Sequence, residues 1–181
     1  MRWLAYGLGA VVALVLLVAA VGWTLPRDHV AALTARIAAP PTAVWALIAD
    51  PAALPTWRDD VQRVERLPDA PNGPAWREHG GERPISYATE LADPPRRFVS
   101  RITDADLPFG GAWDWRIVPD GDGASTVTVI ERGSVHNPLF RFVSRFVMGH
   151  TATIDRTLRA LGRKFGAEPT PRPVAVETLG A

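Results

Sequence analysis

The chain has 181 residues, a formal net charge of +1 and no cysteine. Near-neutral charge argues against a nucleic-acid binder working through bulk positive potential. The missing thiols exclude disulfides, thiolate zinc sites, iron–sulfur clusters and a cysteine nucleophile.

The first feature along the chain is apolar. Residues 3–25 carry no charge. As a helix they would extend about 34 Å, enough for a hydrocarbon core of about 30 Å. Trp3 and Tyr6 stand near one end and Trp23 near the other, where an aromatic belt places such side chains. Pro26 stops the helix, and Arg27 and Asp28 return the chain to water. A cleaved signal peptide would have a shorter apolar region and a small-x-small site, so residues 1–26 are read as a retained anchor. Arg2 and the amino terminus lie on one flank, and Arg27 and Asp28 cancel on the other. The positive-inside rule then predicts a single-pass protein of the cell membrane, with its N-terminus inside and its domain extracytoplasmic.

The remaining chain, roughly 150 residues, fits one domain with one core. Val30 to Ala38 reads as a first strand and ends at Pro40-Pro41. Thr42 is a candidate cap for a short helix carrying Val44, Trp45, Leu47 and Ile48, and a second helical piece runs from Ala52 to Trp57. Six strand candidates follow, at 61–67, 75–79, 85–91, 98–103, 112–118 and 125–135, with turn residues between them. Pro-Asp-Gly-Asp-Gly at 119–123 signals a hairpin. Apolar residues at helical spacing then predict one long helix over 138–165. It has Val143, Val147, His150, Ile154, Leu158, Leu161 and Phe165 on one face and Arg141, Arg145, Arg156, Arg159 and Arg163 on the other. Residues 167–181 are expected to be a disordered, Pro-rich tail. The domain is therefore assigned to 27–166. The expected class is α+β: a curved antiparallel sheet whose concave face is covered by the long helix, with a cavity between them.

This order of elements resembles the START/Bet v 1-like superfamily, also called SRPBCC or helix-grip, which includes polyketide cyclase/dehydrase-like and lipid-transport proteins. The resemblance rests on three stretches. One is Pro40-Pro-Thr-Ala-Val-Trp-Ala-Leu-Ile-Ala-Asp-Pro51, with Trp57 soon after. The second is Trp113-Asp-Trp-Arg-Ile-Val-Pro-Asp-Gly-Asp-Gly123, before Val127-Thr-Val-Ile-Glu-Arg-Gly133. The third is Asn137 to Asp155, which looks like a bacterial subgroup without assigned function. It covers about residues 30–166 and implies a cavity for a hydrophobic ligand. It implies no particular chemistry, because the superfamily mixes carriers, sensors and enzymes.

Strand parity and helix phase place the candidate site residues. Glu131 shares parity with Val127 and Val129, and Glu78 shares it with Trp76. His150 lies on the apolar helix face. A buried carboxylate needs a partner, and His150 or an inward arginine would serve Glu131. Such a pair is an acid–base unit or a structural tie between helix and sheet. Glu78 is an inward carboxylate or a solvated edge residue. Trp57, Trp76, Tyr87, Trp113 and Trp115 would line a ligand cavity or fill an aromatic core. The arginine face would rest on anionic headgroups or on solvent. His29, His79, His136 and His150 have no metal-ligand spacing, and no P-loop, dinucleotide fingerprint or nucleophile elbow occurs. No metal or other cofactor is expected.

Three functions stay open. The first is membrane-tethered binding of a hydrophobic small molecule or lipid. The second is a cyclase- or dehydratase-type reaction using His150 with Glu131 or Glu78. The third is a non-catalytic interaction module docking through the arginine face.

Overall fold

A computed structural model describes residues 2–175. The N-terminal segment forms α1 (Arg2–Thr24), and its stretch Tyr6–Thr24 is long and apolar enough to cross a membrane. Residues 25–27 alone separate α1 from β1 (Asp28–Ile37). Next come α2 (Pro41–Ile48) and a 3-10 turn (Pro51–Thr56). Six strands follow: β2 (Arg63–Ala70), β3 (Gly73–His79), β4 (Ile85–Asp93), β5 (Arg97–Ile102), β6 (Phe109–Pro119) and β7 (Ser125–Val135).

All strand pairings are antiparallel, in the order β2-β3-β4-β5-β6-β7-β1, with a two-residue β8 (Arg172–Pro173) on the outer edge of β1. β1 and β2 lie far apart in the sheet, so α2 and the 3-10 turn carry the chain across it. Pro40 is the N-cap of α2 and Pro41 its first residue, where a fixed φ and a missing N–H are tolerated. Thr42 is therefore inside the helix and is not its cap. Asp50 caps the 3-10 turn by accepting from the Ala52 amide at 3.0 Å.

The single long helix expected over 138–165 is two helices with a break. α3 (Pro138–Val143) starts at Asn137, whose side chain accepts from the Leu139 and Phe140 amides. A π turn (Ser144–Met148) follows, and Gly149 takes φ 72°, ψ 153°, a region essentially reserved for glycine. α4 (Ala152–Lys164) then lies against β1. Ile154, Leu158 and Leu161 of α4 meet Ile37, Val44, Val127 and Val129 in a core where each is fully buried. Burial of each such side chain contributes about 1.5–3 kcal/mol.

α3 instead packs against α1. Gly22 approaches the Pro138 carbonyl so closely that a Cβ would collide with it. Arg141 is buried and donates to the carbonyls of Gly22 (3.2 Å), Leu25 (3.1 Å) and His136 (3.1 Å). It satisfies the orphan carbonyls at the end of α1, where a positive charge also opposes the helix dipole.

Past α4, Gly166 (φ 88°) reverses the chain, and the Ala167 amide donates to the Gly162 carbonyl at 3.1 Å. Residues 167–175 return along the domain, Pro169 packs on Gly162, and the Val174 amide donates to Ala32 at 3.1 Å. The expectation of a disordered tail is corrected for this stretch. Too little of it is periodic to be seen in sequence. Residues 176–181 lie outside the described residues.

Candidate functional site: a cavity with two polar flanks

A cavity of about 680 Å³ lies between the concave face of the sheet and the segments after β7. Trp57, Trp76, Glu78, Tyr87, Trp113, Trp115, Glu131 and His150, all singled out by sequence, line it. The aromatic groups are arranged on the sheet itself. Trp76 stacks on Tyr87 (centroids 5.5 Å) and on Phe98 (6.4 Å), and Trp113 leans on Trp115 (5.9 Å). Trp57 is buried, and its indole N–H has no partner among the described residues.

Polar groups sit on the two flanks. On the β3–β4 side, Arg58 holds two carboxylates. Its Nε and Nη2 donate to Asp60 at 3.1 and 2.7 Å, and its Nη1 lies 3.1 Å from Glu78. Trp76 Nε1 donates to the other Glu78 oxygen at 2.9 Å. Burial pushes the Glu78 carboxyl above its ordinary range, although Arg58 and the Trp76 indole pull the other way. For Asp60 burial is outweighed by the two hydrogen bonds and the positive charge of Arg58, and its carboxyl is held below the ordinary range. Burial, with Glu78 nearby, raises Tyr87 and keeps its phenol protonated. Glu78 is thus an inward, buried carboxylate and not a solvated edge residue.

On the β7–β1 side, Glu131 Oε1 lies 3.4 Å from His29 Nε2. The His29 ring stacks on that of His150 (centroids 3.9 Å, 23° between planes), and His150 Nδ1 is 3.1 Å from the Ser144 hydroxyl. Burial lowers the affinity of His150 for a proton; His29 and Arg145 add to this and Glu131 opposes it. Gly133, opposite His29 in the β1–β7 register, leaves the space that the imidazole fills. His150 reaches the cavity from the break between the helices, not from a helix face. The partner of Glu131 is His29 and neither His150 nor an arginine.

His29 was missed by the sequence reading, although it shares parity with the buried Ala31, Leu33, Ala35 and Ile37. Arg58 and Asp60 were missed for a different reason. They lie in irregular chain after the 3-10 turn, where no periodicity assigns a direction. No group of three or more His, Asp or Glu side chains among the described residues is placed to hold a metal ion.

The expected arginine face does not exist as one surface. Arg141 is buried at the end of α1. Arg159 is paired with Asp155 and Glu168, and Arg163 with Asp59 and Glu168. The break at Gly149 separates Arg141 and Arg145 from the rest. Arg156 borders the cavity.

The comparisons with known proteins agree with this architecture. Norcoclaurine synthase from Thalictrum flavum superposes with a TM-score of 0.59 at 14% identity, covering 76% of this chain and 86% of that one. A START superfamily protein from Mycobacterium smegmatis does so with a TM-score of 0.62 at 17% identity, covering 76% and 97%. The Zhui aromatase/cyclase from Streptomyces sp. R1128 gives 0.60 at 15%, covering 76% and 93%. No protein of curated function matches the chain. Identities this low establish the fold, which is the α+β helix-grip fold of the START/Bet v 1-like superfamily. Residues 28–166 match the family described as polyketide cyclase / dehydrase and lipid transport, and the chain belongs to that family.

Proposed function

We propose that the protein is a membrane-tethered receptor or carrier that holds a hydrophobic small molecule or lipid in the cavity between the sheet and the C-terminal helices. The observation that carries this reading is the cavity itself: about 680 Å³, floored by Trp76, Phe98, Trp113 and Trp115, within the usual range for small-molecule sites. Apolar burial supplies the affinity, and the polar flanks orient the ligand. The apolar helix Tyr6–Thr24 and the three-residue link to β1 support tethering against a bilayer, with the N-terminus inside the cell.

The test is to purify the full chain in detergent, extract what it carries and identify it by mass spectrometry. A single amphiphile class at near-unit stoichiometry is expected. Trp113→Ala, which removes aromatic surface from the cavity floor, should weaken its rebinding about tenfold or more. Repeated preparations that carry nothing and bind no apolar probe would sink the reading.

A second reading, a cyclase- or dehydratase-type reaction, is favoured by the Glu131–His29 pair beside His150. A carboxylate that orients one imidazole next to a second, proton-poor imidazole has the parts of an acid–base unit. The extracted compound distinguishes the two readings, because an enzyme would convert it and a carrier would return it unchanged.

A further inference from the structure

α3 and the π turn present apolar side chains to the outside. Phe146 and Val147 are 60% and 72% exposed, and Leu139 and Val143 are also exposed. A soluble surface rarely gathers so many in ten residues without a partner. The position of this segment identifies the partner. α3 packs against α1, whose covered positions before its end, among the described residues, are Val18, Ala19 and Gly22, one face of the helix. Val18 lies six residues before Thr24, about 9 Å back along the helix axis. If α1 crosses a bilayer, α3 is held beside it at a depth inside the adjoining leaflet. Arg145 is exposed between Ser144 and Phe146, as expected of a cation reaching back to lipid phosphates.

The same segment is also a wall of the cavity. Phe140, Ser144, Gly149 and His150 line it from within, while Phe146 and Val147 face outward. We propose that α3 and the π turn are inserted in the membrane leaflet next to the domain and form the doorway through which the ligand passes from the bilayer into the cavity. The doorway rests on the ligand-binding reading above; the insertion does not. Gly149 is the hinge of this door, and the Ser144–His150 and His150–His29 contacts hold it against β1. The ligand never crosses water, which accounts for a cavity domain fixed within three residues of its anchor.

The chain lacks cysteine, so single nitroxide labels can be placed at Phe146 and Val147 of the full chain in phosphatidylcholine/phosphatidylglycerol nanodiscs. Val12 serves as a lipid reference and Asp122 as a water reference. The labels at 146 and 147 should relax with oxygen and be shielded from a water-soluble nickel chelate, as at Val12. Exposure to nickel as at Asp122 overturns insertion. Spin–spin broadening between copies assigns the face to a second molecule of this chain and overturns it equally.

The doorway is tested by the transfer of NBD-labelled stearate from vesicles to Phe146→Glu/Val147→Glu, compared with equilibrium binding of the same probe in detergent. At least a tenfold slower transfer at unchanged affinity is expected, and an unchanged rate overturns the doorway. A wild-type protein that does not bind the probe in detergent counts against the ligand-binding reading, while the label depths still decide insertion.

Discussion

α4 and the segment formed by α3 and the π turn are consecutive in the chain, and both are two-faced. α4 turns Ile154, Leu158 and Leu161 into the core of the sheet and ties Arg159 and Arg163 to Asp155, Glu168 and Asp59. The neighbouring segment turns Phe146 and Val147 away from the protein and lends Arg141 to the end of another helix. The same kind of amphipathic pattern thus serves opposite ends. Where the apolar face meets a sheet it contributes to folding; where it meets the flank of an apolar helix it contributes little to folding and is left for a different solvent.

The most direct way to break that comparison is to truncate one apolar side chain in each region. Leu158→Ala should cost about 2–5 kcal/mol of domain stability, the usual cost of a cavity in a closed core. Phe146→Ser should cost less than about 0.5 kcal/mol, as expected of a surface change. Denaturant unfolding of the detergent-solubilised chain, followed by tryptophan fluorescence, measures both. Similar losses at the two positions would mean that α3 and the π turn belong to the folding core after all.

Arg141 sharpens the contrast at the other interface. Arg141→Ala leaves several carbonyls at the end of α1 without their buried donor, at a cost of about 2–3 kcal/mol. That cost falls on the docking of α1, because none of these bonds lies within the sheet. The distance between spin labels at Val12 and Asp122 should broaden from one population to many, while Leu158-dependent stability stays as it was. A narrow distance distribution in the variant would show that Gly22 and Pro138 suffice to fix the anchor.

What could be read from the sequence divides along the same line. Strand parity put Glu131, Trp113 and Trp115 on one face and left Glu78 open between that face and a solvated edge; all four line the cavity, because a period of two leaves no choice once one face is buried. The same argument reaches His29 had it been extended one residue past Val30. The break at Gly149 was not legible. One glycine inside a periodic pattern costs a helix only about 1 kcal/mol, less than a set of tertiary contacts can recover. The contacts of α3 with α1, more than a hundred residues away in the chain, lie outside any local pattern. Arg58 was hidden for a related reason, since Glu78 reaches it only when the turn meets β3.

Gly149 gives a smaller effect that bears on the break itself. Gly149→Ala places a Cβ at φ 72°, ψ 153°, a strain of about 1–2 kcal/mol. The chain can relieve it by straightening toward the continuous helix that the periodicity favours. Distances between labels on Val143 and Arg156 should lengthen, and nickel accessibility at Val147 should rise. If both stay unchanged, the break is fixed by α1 and Arg141 and owes nothing to glycine.

The smallest effect is the pH response of the hinge. The proton affinity of His150 is lowered first by burial, then by His29 and Arg145, with Glu131 opposing. A folded-state value below the ordinary 6.5 means that the unfolded chain takes up the proton first as pH falls. The associated stability is present above about pH 6.5 and is lost as pH drops through the lower folded value. His150 lies at the break and not in α4, so the loss should appear as opening of the segment from β1 before any loss of the core. Labels at Val147 and Asp122 should therefore separate on acidification below pH 6.5 while tryptophan fluorescence holds steady, and His150→Gln should abolish the separation. Two regions that respond together would be one cooperative unit, and the different partners of α3 and α4 would then have no consequence for how the domain moves.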